Sequence, residues 1–236
     1  MHKILIFLLF PTLVFGALNS SKSVTSELEI LALPFENQKQ VFQANDRTYK
    51  NLVAIAKDSK IGFNKRWKAV TALSEIFRDK AFDDLYTLSF SKEWFIKNAV
   101  VVGISNLKSP EKVEILGRLL KDSSLVVRSA VVEEIKVQKI ENLRDELWEE
   151  LNLPRNFKNN QSLWIRKQII KLLSVNPKNH ERKLFHRLLH EKEQEIIEAS
   201  LIGAEKIVLT SAEIKSLQNE KMNIKLAKIK SKIMND

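Results

Sequence analysis

Five stretches of this 236-residue chain fit one frame that returns about every 31 residues, which confines the fold to architectures made by stacking one small unit. The frame runs apolar, basic, two variable, apolar or small, two variable, small, apolar. It begins at Lys65-Arg66-Trp67-Lys68-Ala69 and ends there at Ala72-Leu73. It returns as Ile96-Lys97 with Val100 and Gly103-Ile104, and as Val127-Arg128 with Val131 and Glu134-Ile135. Two further copies are Ile165-Arg166 with Ile169 and Leu172-Leu173, and Ile197-Glu198 with Leu201 and Ala204. The charged positions 66, 97, 128, 166 and 198 stand 31, 31, 38 and 32 residues apart, and the longer step marks an insertion at Pro154 to Gln161.

Inside each period the apolar residues fall at helical spacing in two stretches joined by a turn. The third unit is the clearest. Ser109-Pro110-Glu111 reads as a helix start with a capping serine and proline at the first position, and Val113, Leu116, Leu119 and Leu120 then share one face. Asp122-Ser123-Ser124 turns the chain into a second helix carrying Val127, Val131 and Ile135. Helix pairs this short cannot bury a core alone, so they must stack on one another. The spacing predicts pairs at 46–57 with 64–77, 79–89 with 91–106, 110–121 with 124–137, 141–152 with 163–175, and 178–190 with 193–208. No strand is expected beyond the first 45 residues. Five glycines and five prolines in the whole chain agree with an all-α reading.

The run Gly117-Arg118-Leu119-Leu120-Lys121-Asp122-Ser123-Ser124-Leu125-Val126-Val127-Arg128-Ser129-Ala130-Val131 resembles the consensus of HEAT-like repeats, and the resemblance extends over residues 46–208. It implies a right-handed α-solenoid of about five helix pairs, with second helices lining a concave surface that holds another macromolecule. In that family an aspartate in the turn bonds along the stack with the arginine six residues later. Asp122 with Arg128 matches this pattern, Ser91 with Lys97 and Asn160 with Arg166 keep half of it, Lys60 with Arg66 sets two cations together, and Lys192 with Glu198 reverses the signs.

The chain ends carry other signals. Residues 1–16, with basic Lys3, an apolar run from Ile4 to Val14 and small Gly16-Ala17, read as a secretory signal peptide, the competing reading being an uncleaved anchor. A periplasmic or secreted protein follows, and the absence of cysteine favours the periplasm while excluding disulfides, thiolate metal sites and thiol nucleophiles. Residues 17–45 form a tether and cap for the first repeat, in which Glu27-Leu28-Glu29 opens a short helix or Leu28 to Leu33 a strand. Thr210-Ser211-Ala212-Glu213 is a capping box opening a last helix, so 209–236 reads as the C-terminal cap, with Ile214, Leu217, Met222, Leu226, Ile229 and Ile233 along one face.

Candidate sites are few. Arg66, Lys97, Arg128 and Arg166 make one cationic column if the repeats superpose, able to hold a phosphate or acidic peptide, although pairing between repeats explains it more simply. Phe157 in the insertion is a candidate anchor, set against a mobile solvated loop. Trp67, Trp94, Trp148 and Trp164 read as packing residues, Trp164 being the exception because it follows the insertion and can shift with it, which makes it a candidate partner-binding residue. His186 and His190 have the spacing to share a metal, but sit on a charged outer face beside Lys183 and Arg187, so no metal site or cofactor is expected. The sequons at Asn19 and Asn160 carry no weight by themselves.

Catalysis finds no recognisable motif: there is no glycine-rich phosphate loop, and the adjacent pairs Asp83-Asp84 and Glu149-Glu150 diverge by about 100° on a helix. The expectation is a non-enzymatic exported scaffold for a protein or peptide. The rivals are a basic HEAT-like DNA glycosylase and a binder of anionic envelope polymer or lipid. The net charge of +10 is spread as a patchwork, with five acids against one base in Glu141 to Glu150 and six lysines against three acids in Ala212 to Asp236, which disfavours nucleic acid.

Overall fold

The computed structural model describes residues 27–207, apart from positions 35, 36, 39, 40 and 43. The expected signal peptide at 1–16 and the C-terminal cap at 209–236 lie outside the described residues. The described chain is mostly helical. A first turn, α1 (Glu27–Ile30), precedes pairs formed by α2 (Asp46–Lys57) with α3 (Phe63–Phe77), α4 (Phe82–Leu88) with α5 (Trp94–Ile104), and α6 (Lys112–Leu120) with α7 (Leu125–Gln138). The fourth pair is α8 (Arg144–Leu151) with α9 (Trp164–Leu173), and the fifth is α10 (Arg182–Leu188) with α11 (Gln194–Ala204). Each second helix packs on the next, α3 on α5, α5 on α7, α7 on α9 and α9 on α11, while each first helix packs on its own partner.

Local chemistry sets the helix ends. The Asn45 side chain accepts the Thr48 N–H at 2.9 Å and caps α2. Between helices of a pair, Asp58 accepts from the Lys60 N–H, Ser91 from the Glu93 N–H and Asp122 from the Ser124 N–H, so the same short side-chain turn recurs. The third unit departs from the expected start: α6 begins at Lys112, and the Ser109 hydroxyl bonds the Glu111 carboxylate instead of capping the helix. Asp79 explains the shift, since its Oδ1 takes the Lys108 and Ser109 N–H groups and holds the segment as an approach to the helix.

At the N-terminal side the helical alternative holds, Glu27–Ile30 being α-helical. Leu31 is fully buried, its carbonyl and that of Leu33 accept from Lys68 Nζ at 3.0 and 3.2 Å, and Glu27 accepts from Asn51. This segment is therefore seated on α2 and α3. One continuous core runs from Leu31 to Ile207, made chiefly of leucine, isoleucine, valine and alanine.

Two sequence expectations need correction. The insertion holds a two-stranded antiparallel hairpin, β1 (Phe157–Lys158) with β2 (Gln161–Ser162), in register Phe157 to Ser162 and Lys158 to Gln161. Asn159 and Asn160 both take positive φ, 52° and 61°, as a two-residue hairpin turn requires, and asparagine tolerates that backbone better than most residues. The fifth unit is also one residue out of the expected frame. Burial along 181–207 follows that along 81–107 at nearly every position, pairing Ile96 with Ile196, Ala99 with Ala199 and Gly103 with Gly203. Ile197 therefore stands where Lys97 does, and exposed Glu198 corresponds to Asn98.

Candidate partner-binding face

The cationic column is built from the start of each second helix, and its charges turn into the stack. Arg66 is buried, donates from Nε to the Ala56 carbonyl at the end of α2, and grips both carboxylate oxygens of Glu93 in the next unit. Lys97 keeps the second half of the arrangement, pairing with Asp122 of the next unit. Arg128 donates to the carbonyls of Asp122 and Ser123 at 2.7 and 2.9 Å, while its Nε lies 3.0 Å from Glu150 as an ion pair. Arg166 donates to the Leu151 carbonyl at the end of α8, to the Ser162 hydroxyl and to Glu191 at 2.9 Å. Arg66 and Arg166 thus each satisfy a carbonyl left bare at the end of their own first helix, Arg128 satisfies two carbonyls of the turn after it, and all three neutralise a carboxylate of the following unit.

This geometry answers the two readings of the column. Arg66, Arg128 and Arg166 are 5%, 1% and 0% exposed, so they serve pairing between repeats and present no charge to an outside ligand. Burial lowers the Arg128 guanidinium from its ordinary range, with the charge of Glu150 opposing that shift. The Arg66 hydrogen bonds hold the Glu93 carboxyl below its usual range. The acids Glu93, Glu150 and Glu191 escape a search for an acid six residues before each base, because the bonds run forward into the next unit. An acid one to three residues ahead of the following second helix, as at Glu93, Asp122 and Glu191, is the signal that finds three of the four partner acids. Asp122 and Arg128 do meet, but through the Asp122 backbone carbonyl, its carboxylate going to Lys97.

The insertion is wired to its neighbours. Asn156 is fully buried and donates to the Glu150 carbonyl and carboxylate while accepting from Arg128 at 2.9 Å. Glu193 accepts the Ser162 N–H and hydroxyl, and the half-buried Phe157 ring lies under the Arg166 guanidinium, 4.4 Å from its centroid. Phe157 is thereby engaged within the chain.

Several apolar side chains do face outward at the starts of the second helices. Phe63, Trp94, Val126 and Trp164 occupy the first or second position of four successive second helices and are 65%, 51%, 44% and 54% exposed. Trp94 thus departs from the packing role expected of it, and Trp164 is the exception that its place after the insertion allowed; each stands one or two positions before a fully buried residue, Ile96 or Ile165, and so projects from another side of its helix. Phe63, Phe95 and Trp94 form one patch across the first two units, with edge-to-face contacts at 5.9 and 6.2 Å and the Arg66 guanidinium 5.2 Å from the Phe95 centroid. The other two tryptophans are half-buried and bonded: Trp67 donates to Asn98 at 3.1 Å, and Trp148 to Glu181 at 2.7 Å. Val102 and Ile202 add exposed apolar surface farther along α5 and α11.

Among the described residues no helix is long and apolar enough to cross a membrane, and no three histidine or carboxylate side chains gather as metal ligands. No protein-family model matches the chain. No curated protein matches it either. Among solved structures, the crystal structure of YibA from E. coli is similar, with a TM-score of 0.56 and 18% identity over 90% of this chain and 81% of that one. At that identity the likeness is one of fold.

Proposed function

We propose that this protein is an exported, non-catalytic HEAT-like solenoid that holds a protein or peptide partner against the face made by its second helices. The observation that carries this reading is the outward row Phe63, Trp94, Val126 and Trp164, repeated from unit to unit at helix starts. Aromatic side chains are favoured as interface anchors because they cover much apolar area with few rotatable bonds. A row of them left in water is a liability unless something covers it. The succession of second-helix contacts from α3 to α11 supports the solenoid arrangement.

The polyanion reading gains nothing from the buried arginines and rests on the basic balance of the chain and the lysine-rich stretch 212–236. Crosslinking in the exported fraction followed by mass spectrometry tests the scaffold reading. A defined partner should be captured by the native chain and lost from the Phe63→Ser, Trp94→Ser, Trp164→Ser triple variant at unchanged melting temperature. Equal capture by the variant refutes the role of this face. Salt-sensitive retention of both proteins on heparin would transfer the proposal to an anionic ligand.

A further inference from the structure

Every turn that leads into a second helix carries an exposed lysine: Lys60 before α3, Lys92 before α5, Lys121 before α7, Lys158 in the hairpin before α9, and Lys192 before α11. Lys121 approaches Glu149 at 3.9 Å, and the other four make no ion pair among the described residues. The acids of the same turns point the other way. Glu93 goes to Arg66, Asp122 to Lys97, Glu191 to Arg166 and Glu193 to Ser162, so these carboxylates are used inside the stack. Asp58, which takes the Lys60 N–H, is the exposed acid among them. One edge of the solenoid therefore sets a lysine row beside the exposed apolar row, Lys60 standing three residues ahead of Phe63 and Lys92 two ahead of Trp94.

Free ammonium groups next to exposed rings suit a partner that brings carboxylates and apolar side chains together. A second copy of this chain, at a net charge of +10, is repelled, and the lysine-rich stretch 212–236 meets like charge here. A phosphate polymer lacks its preferred grip, because Arg66, Arg128 and Arg166 are buried and Arg155 is held by Glu150. Resting on the partner-binding reading of this face, we propose that its occupant is an acidic, extended peptide segment with apolar anchors about three residues apart. Its carboxylates lie on Lys60, Lys92 and Lys158, and its anchors on the row from Phe63 to Trp164. The anchor interval follows from the stack, since packed helices stand roughly 8–10 Å apart and an extended chain rises about 3.3 Å per residue.

Selection of a bead-displayed library of random peptides with the full-length chain tests this. Enriched peptides should hold more Asp and Glu than the starting library, carry apolar residues at every third position, and lose affinity as salt is raised. The Lys60→Glu, Lys92→Glu, Lys158→Glu triple variant changes exposed side chains, so its melting temperature should stay unchanged while its affinity for an enriched peptide falls about tenfold or more. The Phe63→Ser, Trp94→Ser, Trp164→Ser variant should lose the peptide altogether. Enriched peptides that need the aromatic row, yet show no acidic excess and bind the charge-reversed variant undiminished, would overturn the acidic partner and leave the face as a protein-binding one. Peptides that bind the aromatic variant undiminished, or no enrichment at all, would overturn both. Tighter binding of single-stranded oligo(dT) than of any enriched peptide would assign the edge to nucleic acid and overturn the peptide.

Discussion

Arg128 and Glu150 lie 22 positions apart, meet at 3.0 Å, and have side chains only 1% exposed. Glu150 also takes Arg155 and Asn156, so a charged cluster stands inside the stack where the fourth unit departs from the common length. Replacing Glu150 with glutamine should therefore cost about 3–5 kcal/mol in urea denaturation, because Arg128 keeps its charge and loses its counter-ion. Arg128→Met with Glu150→Met should cost less than that single change. Equal losses would mean that the pair does not act as a pair.

Gly203 marks a close approach between α11 and α10. A Cβ there would lie 2.4 Å from Cε1 of Phe185, a fully buried ring packed edge-to-face on Trp148 at 5.2 Å. Gly203→Ala should destabilise the chain by about 1–3 kcal/mol through forced repacking. Gly62→Ala, where nothing lies within 4 Å, should stay within about 0.5 kcal/mol. Thermal melts of the two variants decide the point.

Lys139 ends α7 in a left-handed conformation, φ 55° and ψ 43°, which a side chain disfavours. Lys139→Gly should raise stability by about 0.5 kcal/mol, the relief of that strain exceeding the entropy glycine adds to the unfolded chain. A lowered melting temperature would show that the lysine side chain makes a stabilising contact.

Glu181 gives the protein an acid-sensitive joint. Burial raises its carboxyl pKa, but donors from Arg144, the Lys178 backbone and the Trp148 indole outweigh burial and leave it below the ordinary value of 4.5. A carboxyl depressed in the folded state contributes stability in full above its unfolded value and loses it as pH falls through the folded one. Stability should thus decline from about pH 5 toward pH 3, and Glu181→Gln should flatten that decline while lowering stability at neutral pH. An unchanged slope would assign the acid response to other carboxylates such as Glu93.

Much of the helical framework was legible in residue spacing alone. The five pairs, the insertion and the join between helices at Asp122 follow from apolar residues at helical intervals, because burial of one face is what such intervals achieve. Periodicity could not say where a polar side chain ends up. Arg66, Arg128 and Arg166 fit either an outward column or pairing between repeats, and the structure shows the pairing; Trp94 reads in sequence as a packing residue, yet it is exposed. Each guanidinium is drawn inward by carbonyls of its own unit and a carboxylate of the next, while Trp94 and Trp164 project from a side of the helix that their buried neighbours Ile96 and Ile165 do not share. The hairpin at Phe157 to Ser162 and the one-residue reframing at Ile197 have the same origin. Repeat spacing determines which residues share a helix face, but the partner that each face meets belongs to the adjacent unit, and only packing between units decides it.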